Sequence, residues 1–347
     1  ADGHAGLLAM NRATICDPEL PKKAREGRLE EIRHCLACME GCWQRLAQDR
    51  NPLGITCALN PVVGKETIPG WLELIPAQTR KKVMVIGGGP AGLETARVAT
   101  ARGHCVSLWE KGDELGGLTL IAAKAPGREE MIEVSRYYKY QMKLLGVDVH
   151  LNTEVTVDTV KKENPDVVVV ATGSLPRIPH GVEGIDQDNV VSNVRDVLTG
   201  KASVGQNVLI VDCQRHIQGL GTADFLVQQG KKVELITPDP SPGEEMEAGT
   251  RAALMRRLFW AGVKITPYTR LKAISGSTVA VAHSLIGQES TIENVDTVIL
   301  SYGGVENNAL YYALQGQVKE LYSVGDCSGV RKLVWATNDG ATLGRMI

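Results

Sequence analysis

Residues 81–97, with the sequence KKVMVIGGGPAGLETAR, constrain the fold more than any other segment of this chain. A short apolar strand over 82–86 runs directly into a Gly-x-Gly-x-x-Gly turn, and residues 93–101 have helical character. Glycines at these positions permit a tight turn and let the backbone approach a pyrophosphate at the helix N-terminus. The next apolar strand ends in Glu110, where an acidic side chain accepts hydrogen bonds from an adenosine ribose. The segment therefore predicts a dinucleotide-binding unit.

Composition excludes several other classes of protein. The 347 residues suggest two domains or one large fold with an insertion, and the 43% apolar content is ample for a buried core. With 38 Lys and Arg against 40 Asp and Glu, the net charge of −2 argues against a nucleic-acid-binding protein. No apolar run is long enough to span a membrane, and residues 1–30 lack a signal-peptide profile. We therefore expect a cytoplasmic protein.

Three later segments indicate which dinucleotide the turn binds. Residues 116–117 are Gly-Gly, residues 166–173 read DVVVVATG, and residues 321–326 read LYSVGD. An apolar strand that ends in Gly-Asp can offer its carboxylate to ribityl hydroxyls. Together these segments resemble the FAD half of the pyridine nucleotide–disulfide oxidoreductase fold, in which a second nucleotide domain is inserted. The resemblance covers residues 81–347.

The eight cysteines are distributed unevenly along the chain. Four fall within 23 residues, with the spacing C-x2-C-x3-C-x14-C: Cys35, Cys38, Cys42 and Cys57. Three closely spaced thiolates with one distant thiolate are typical of a 4Fe–4S cluster, whereas zinc sites prefer two C-x-x-C pairs or one pair with spaced histidines. The pattern predicts a 4Fe–4S cluster, with a four-thiolate zinc site or four unrelated cysteines as alternatives. The others are expected to be small buried residues: Cys16, Cys105, Cys213 and Cys327.

A second nucleotide-binding turn is expected near residue 208, but its sequence is degenerate. Alignment of the strands places Asp212, Gln214 and Ile217 at the positions of the three glycines. A carboxylate at the first position would repel a pyrophosphate. Side chains in place of glycines would also keep the backbone away from it. The following strand ends in Thr237 instead of an acidic residue. These residues predict that the NAD(P)H site is lost.

A divergent but working site remains as the alternative. Gly219 and Gly221 would then form a shifted turn before a helix at 222–228.

The cysteine segment, the FAD fingerprint and the inserted domain occur together in one family. The chain resembles the C-terminal two-thirds of the trimethylamine dehydrogenase and 2,4-dienoyl-CoA reductase family, which are NADH:flavin oxidoreductases related to old yellow enzyme. In that family an FMN-bearing TIM barrel precedes the iron–sulfur segment. Residues 9–28 are similar to the segment that leaves the barrel, which makes Arg12 an FMN neighbour. The barrel itself is absent from this chain, either because it is a separate subunit or because the chain is a fragment.

The resemblance implies the cofactors and the residues that hold them. Cys35, Cys38, Cys42 and Cys57 match the cluster ligands, and FMN would lie in the adjoining barrel. Part of the family holds ADP where FAD would lie, so both nucleotides are candidates for this site. No catalytic acid or base can be assigned. The residues expected at the FAD or ADP are Gly87, Gly89, Pro90, Ala91, Gly92, Glu110, Lys111, Gly117, Leu118, Val155, Gly173, Gly325 and Asp326.

The degenerate second turn favours one branch of this family. Reductases take hydride from NAD(P)H at the inserted domain, whereas amine dehydrogenases and N-demethylases pass electrons from FMN through the cluster to an electron-transferring flavoprotein. Residues 212–220, DCQRHIQGL, are similar in character to N-methyl amino-acid demethylases such as those for dimethylglycine and N-methylproline. We therefore expect the chain to belong to the dehydrogenase and demethylase branch, and we expect the protein to be an oligomer. The alternatives are an NAD(P)H-dependent enoate or dienoyl-CoA reductase and a non-catalytic electron-transfer subunit that holds ADP.

The predicted fold class is α/β. It comprises an FAD-binding, three-layer ββα Rossmann-like domain, an inserted second Rossmann-like domain, an iron–sulfur segment and the tail of a TIM barrel. The expected boundaries are 1–30 for the barrel tail, 31–66 for the cluster segment, 81–185 with 296–347 for the FAD domain, and 186–295 for the inserted domain.

Overall fold

The computed structural model describes residues 6–48 and 54–347. Residues 1–5 of the predicted barrel tail and residues 49–53 of the predicted cluster segment lie outside the described residues. The helices are α1 (Arg12–Cys16), α2 (Leu20–Arg25), α3 (Pro90–Ala101), α4 (Leu118–Ala122), α5 (Ile132–Leu145), α6 (Val157–Glu163), α7 (Val194–Leu198), α8 (Ile217–Val227), α9 (Ala248–Trp260), α10 (Ala309–Leu314) and α11 (Leu333–Met346). The strands are β1 (Lys82–Ile86), β2 (Cys105–Trp109), β3 (Asp148–His150), β4 (Val167–Val170), β5 (Ser174–Pro176), β6 (Val190–Val191), β7 (Asn207–Asp212), β8 (Lys232–Ile236), β9 (Lys264–Thr266), β10 (Thr269–Ser275), β11 (Thr278–His283), β12 (Glu289–Ile292), β13 (Thr297–Ser301), β14 (Gly304–Glu306) and β15 (Glu320–Ser323). In the part of the chain that the structure describes, no helix combines the length and apolar character needed to cross a bilayer.

The chain divides into two compact units. The first comprises Ala1–Leu120, Glu130–Ser174 and Glu306–Ile347, and the second comprises Ile121–Glu129 and Leu175–Val305. The second unit is therefore longer at both ends than the predicted inserted domain at 186–295. Its C-terminal boundary lies later because β13 pairs with β6 and β7, which places that strand in the second unit's sheet.

The first unit is built on a five-stranded sheet in the order β15-β4-β1-β2-β3. Every pairing in this sheet is parallel, and β4 consists of four fully buried valines, as expected for a strand covered on both faces. Helices α6 and α10 pack on one face of the sheet. Because parallel strands end at the same edge, the segments after β1, β2, β4 and β15 all emerge together.

Helix α11 packs closely along α3, so that the middle of α11 lies beside the start of α3 and its last residues lie beside the end of α3. A Cβ on Gly340 would lie 2.3 Å from the carbonyl oxygen of Ala91, and one on Gly344 would lie 2.7 Å from Cβ of Val98. Side chains at these two positions would push the helices apart. The small residues thus fix the distance between α11 and α3.

The second unit has three layers. Its parallel sheet has the order β6-β13-β7-β8-β9, and the antiparallel strands β10-β11-β12 form a separate layer. One apolar core joins the parallel sheet to α7, α8 and α9, and a second core joins the opposite face to the antiparallel strands. The predicted α/β class is confirmed, and the ββα layering is found in this second unit.

Candidate functional site

The predicted glycine turn connects β1 to α3, and its surroundings require glycine at two of the three positions. Gly87 has a φ of +114°, and a Cβ on it would lie 2.2 Å from the carbonyl oxygen of Ala171. A Cβ on Gly92 would lie 2.1 Å from the carbonyl oxygen of Gly87, so this glycine lets the helix contact the strand. At Gly89 no protein atom would lie within 4 Å of a Cβ. The turn is therefore open at its second glycine, where a pyrophosphate approaches the backbone.

Glu110 lies beside this turn and is oriented by backbone donors. Its two carboxylate oxygens accept hydrogen bonds from the N–H groups of Gly88 and Gly112, each at 2.7 Å. A Cβ on Gly117 would lie 3.0 Å from Cα of Gly89, so the predicted second glycine pair lies against the backbone of the turn. Because each carboxylate oxygen has a second lone pair, Glu110 can still accept hydrogen bonds from ribose hydroxyls.

Gly325 and Asp326 follow β15 and lie at the start of α3. Gly325 has a φ of +68°, and a Cβ on it would lie 2.7 Å from Cβ of Ala91. The Asp326 carboxylate accepts hydrogen bonds from Oγ of Ser174 and from the N–H of Arg331, each at 3.2 Å. The structure therefore brings this Gly-Asp pair to the glycine turn, although more than 200 residues separate them in sequence.

Several other predicted cofactor residues lie at helix starts or in loops. Pro90 and Ala91 begin α3, and Leu118 begins α4. Gly173 has a φ of +74° in the loop after β4, with open space where a Cβ would be. These positions are compatible with a nucleotide that crosses the edge of the sheet.

Two predicted residues have opposite surroundings. Lys111 is exposed to solvent. Val155 is buried and packs in the apolar core with Trp109 and Val160. The Val155 side chain therefore stabilises the core beneath the sheet.

A cavity in the first unit is lined by thiols. Its wall includes all four predicted cluster ligands: Cys35, Cys38, Cys42 and Cys57. Cys16, at the end of α1, and Arg12, at its start, line the same cavity. The sequence missed Cys16 because it lies 19 residues before Cys35, outside any ligand spacing.

The remaining cysteines agree only in part with the expectation that they are buried. Cys16 and Cys327 are buried and Cys213 is half-buried, whereas Cys105 is exposed. Cys105 is exposed because it begins β2 at the end of that strand remote from the glycine turn.

The loop that carries the first three predicted cluster ligands has an unusual backbone. Ala37 and Met39 have φ values of +50° and +58°, which few residues other than glycine adopt. A Cβ on Gly41 would lie 2.6 Å from the carbonyl oxygen of Thr56, whose N–H donates to Gly41 O at 2.7 Å. Gly41 therefore lets this loop contact the segment that carries Cys57.

The Cys57 thiol favours its ionised form. Interaction with the neighbouring Cys16 thiol lowers the pKa of Cys57 below the usual value for cysteine, against the opposing effect of burial. The N–H groups of Leu59 and Asn60 and the positive charge of Arg33 act in the same direction as Cys16. The thiolate is the form of cysteine that binds a metal.

The thiols are not arranged as a site for a single metal ion. Within residues 6–48 and 54–347, no group of three or more His, Cys, Asp or Glu side chains could hold one. A tetrahedral zinc ion lies about 2.3 Å from each sulfur, which requires the sulfurs to be about 4 Å apart. The structure therefore does not show the zinc site that the spacing left as an alternative.

The second turn connects β7 to α8, and the structure corrects its alignment with the first. Gly92 is the third residue of α3, and Gly219 is the third residue of α8. The residue that corresponds to Gly92 is therefore Gly219, and the predicted correspondence with Ile217 is wrong. Gly219 and Gly221 both lie inside α8, and the alternative of a shifted turn at these residues is wrong. A Cβ on Gly219 would lie 2.5 Å from Cγ of Asp212, so the helix packs against this carboxyl group.

The other two glycine positions of the second turn carry side chains. Asp212 ends β7 and is 1% exposed, and its burial raises its pKa to about 7. Ser301 Oγ donates to Asp212 Oδ1 at 2.9 Å, while Oδ2 has no hydrogen-bond partner among the described residues. His216 is the N-cap of α8, as Gly89 is of α3. A buried carboxyl group and an imidazole thus replace the first two glycines.

Carboxylates surround the rest of this turn. Arg215 forms ion pairs with Asp239 at 3.4 Å, Glu244 at 2.9 Å and Glu245 at 3.5 Å. Thr237, at the position of the acidic ribose acceptor, is 1% exposed. The nearby cation is therefore already paired, and the turn presents negative charge where NAD(P)H would place its pyrophosphate.

Replacing Asp212 with Asn is expected to stabilise the chain at alkaline pH. The pKa of Asp212 is about 7 in the folded protein, whereas an unfolded Asp titrates near about 3.9. Between these values only the folded state binds the proton, so wild-type stability falls as the pH rises from about 4 to about 7 and stays low above that. The variant lacks this loss and should be more stable at pH 8 by about 2–4 kcal/mol.

Urea unfolding at pH 4, 6 and 8 measures this difference. It should be largest at pH 8 and vanish towards pH 4. Asp188→Asn, which removes an exposed carboxylate from the same unit, is the control and should show no such trend. A D212N variant that is less stable than wild type at pH 8 would contradict the prediction.

The fold and the first nucleotide turn define an oxidoreductase of the flavin- and nucleotide-binding class. Residues 81–340 match the family described as pyridine nucleotide-disulphide oxidoreductase, and the chain belongs to this family. The resemblance deduced from the glycine turn and the Gly-Asp strand end is thereby confirmed.

Curated relatives connect the chain to both branches of the predicted family. It is 34% identical over 323 residues to N,N-dimethylglycine/sarcosine dehydrogenase of Chromohalobacter salexigens, an alignment that covers 91% of this chain and 46% of that protein. It is 36% identical over 320 residues to the probable N-methylproline demethylase of Rhizobium meliloti, with the same coverage of 91% and 46%. A solved structure of 2-naphthoyl-CoA reductase with 2-naphthoyl-CoA superposes with a TM-score of 0.92 at 37% identity, over 99% of this chain and 51% of that one. The chain thus spans about half the length of these relatives.

Proposed function

We propose that the chain is the FAD- and 4Fe–4S-bearing part of an amine dehydrogenase or N-demethylase system. When bound, these groups would carry electrons from FMN in an adjoining barrel to an acceptor of the electron-transferring flavoprotein type. The observation that carries the proposal is the second turn, in which buried Asp212 replaces the first glycine of an NAD(P)H site. A unit that does not bind NAD(P)H suits an enzyme whose electrons come from the substrate.

We assign the thiol cavity to a 4Fe–4S cluster in preference to a single metal ion, because the spacing of its cysteines is typical of one. A cube of four irons takes one thiolate at each iron, so its ligands are spread more widely than those of zinc. Cys35, Cys38, Cys42 and Cys57 would be these ligands. The left-handed backbone before Gly41 turns the loop around the cavity, and the pKa of Cys57 favours its thiolate.

The first nucleotide turn would hold FAD, or ADP in its place. The backbone at Gly89 would approach the pyrophosphate, Glu110 would accept hydrogen bonds from the ribose, and Asp326 would face the ribityl chain. Extraction and mass analysis of the bound nucleotide separate the two cases. ADP without flavin would support a non-catalytic electron-transfer subunit.

The barrel is the partner that this proposal requires first. Arg12 lines the thiol cavity, so an FMN neighbour at this position would bring the barrel next to the cluster ligands. We further propose that the assembled protein is an oligomer of the cytoplasm.

An NAD(P)H-dependent enoate or dienoyl-CoA reductase is the second candidate. The similarity to 2-naphthoyl-CoA reductase over 99% of this chain favours it. Electrons would then enter at the inserted unit and flow towards the barrel, in the opposite direction.

Anaerobic titration with NADH separates the two functions. We expect that NADH leaves the flavin absorbance of the FAD-loaded chain unchanged over minutes, because Asp212 and the paired Arg215 exclude the pyrophosphate. Dithionite, which needs no binding site, is the control and should bleach the flavin. Rapid bleaching by one equivalent of NADH would contradict the dehydrogenase proposal and support the reductase.

A further inference from the structure

Arg33 places a positive charge without a salt-bridge partner among the described residues close to the cysteines of the thiol cavity. It lies two residues before Cys35, and its backbone N–H donates to Oδ2 of Asp17 at 2.9 Å. Its guanidinium Nη2 donates to the hydroxyl of Tyr137 at 2.8 Å, and Cζ lies 5.0 Å from the centre of that ring. Nε is shielded from solvent and has no hydrogen-bond partner among the described residues.

The carboxylates near Arg33 are paired with other cations. Glu94, which is 1% exposed, accepts two hydrogen bonds of 2.7 Å from Arg97. Asp17 accepts a hydrogen bond from Nζ of Lys23 at 2.7 Å. Within the described part of the chain, no carboxylate oxygen lies within ion-pair distance of the Arg33 guanidinium. Since arginine stays protonated at any pH that the fold tolerates, its charge is permanent.

We propose that Arg33 sets the reduction potential of the cluster held by the four cysteines, an inference that rests on the proposed function. Reduction adds one negative charge to a cluster. A fixed cation at the edge of a poorly solvated cavity stabilises that charge and raises the midpoint potential. Arg33 thus acts on the cluster through its charge.

The hydrogen bond to Tyr137 explains how the charge is held in place. Tyr137 is 3% exposed and belongs to α5, so the guanidinium is fixed against a rigid helix. A neutral partner orients the cation without cancelling its charge. A carboxylate at this position would remove most of the effect.

The test is an anaerobic redox titration of the iron-loaded chain, followed by electron paramagnetic resonance. Arg33→Gln is expected to lower the midpoint potential, and Arg33→Lys, which keeps the charge, to leave it close to the wild-type value. Lys162→Gln is the matched control. It removes one positive charge from an exposed position on α6. Because solvent screens an exposed charge, its loss should not shift the potential.

Each outcome bears on the proposal. An unchanged potential in R33Q, or a lowered one in R33K, would overturn it. If R33Q fails to retain iron, the R33K variant decides alone. A wild-type potential in R33K supports a role for the charge, and a lowered potential in R33K overturns the proposal. Failure of the proposed function gives a different result, because the wild-type chain would then hold no iron and sulfide.

Discussion

Replacing Cys57 with Ser is expected to abolish iron binding by the chain. Reconstituted under anaerobic conditions, the wild type should hold about four irons and about four acid-labile sulfides, and the variant less than about one of each. Cys57 carries this effect because its segment is brought to the other three cysteines by the Gly41–Thr56 contact, and its lowered pKa favours the thiolate. A serine hydroxyl does not ionise near neutral pH and is a poor ligand for iron. Iron and sulfide assays, with the visible absorbance of the cluster, measure the loss.

Cys16 provides the sharpest control for this prediction. Its Sγ donates to the carbonyl oxygen of His34 at 3.5 Å and it lines the same cavity, so it is close enough to compete for the role of fourth ligand. We expect Cys16→Ser to retain the iron, as should Cys105→Ser, which alters an exposed thiol. Retention by C57S with loss in C16S would exchange the two assignments. Loss of iron in C105S would show that the assay reports general instability.

The first nucleotide turn could be predicted in detail because its determinants are adjacent in the sequence. The predicted strand at 82–86 is β1, and Glu110 lies beside the turn. The helix begins at Pro90, earlier than its apolar pattern suggested. Proline has no N–H to satisfy and a backbone angle suited to the first helical turn, so it extends α3 back to the second glycine.

The start of α8 could not be predicted in this way. Gly219 and Gly221 suggested a turn, since glycine weakens helices when only local preference counts. In the structure the helix is stabilised by packing: its apolar face lies in a core with β7 and β8, and Gly219 allows close contact with Asp212. Tertiary contacts therefore override the local signal. Tertiary contacts also decide the boundary predicted at residue 296: the pairing of β13 with β6 and β7 places it later in the chain.

The residues around the thiol cavity also differ in whether the sequence could predict them. Ligand spacing predicted four cysteines that prove to line one cavity, because they lie close together on one loop and one following segment. Cys16 and Arg33 contribute through contacts made when α1 and α5 pack around that loop. Such contacts leave no periodic pattern in one sequence, so only the folded structure reveals them.

Replacing Gly89 with Ala is expected to abolish most nucleotide binding while leaving the fold intact. With a φ of −80° and open space around its missing side chain, Gly89 can carry a Cβ without strain in the protein. As the N-cap of α3, the variant loses only about 0.5–1 kcal/mol of stability. A bound pyrophosphate, however, needs the backbone at this position, and the added methyl group separates the two. We expect the dissociation constant for ADP or FAD to rise about 10- to 100-fold, which corresponds to about 1.4–2.8 kcal/mol.

Gly87→Ala distinguishes a binding effect from a folding effect. At Gly87 the φ of +114° and the carbonyl of Ala171 at 2.2 Å exclude a Cβ, so this variant should lose several kcal/mol of stability even without nucleotide. Calorimetric titration with ADP and urea unfolding of the nucleotide-free chain measure the two quantities separately. G89A should change the first strongly and the second slightly, and G87A should change the second strongly. Wild-type affinity in G89A would mean that the nucleotide does not cross the turn at its second glycine, and the first site would then lose its assignment as the FAD or ADP site.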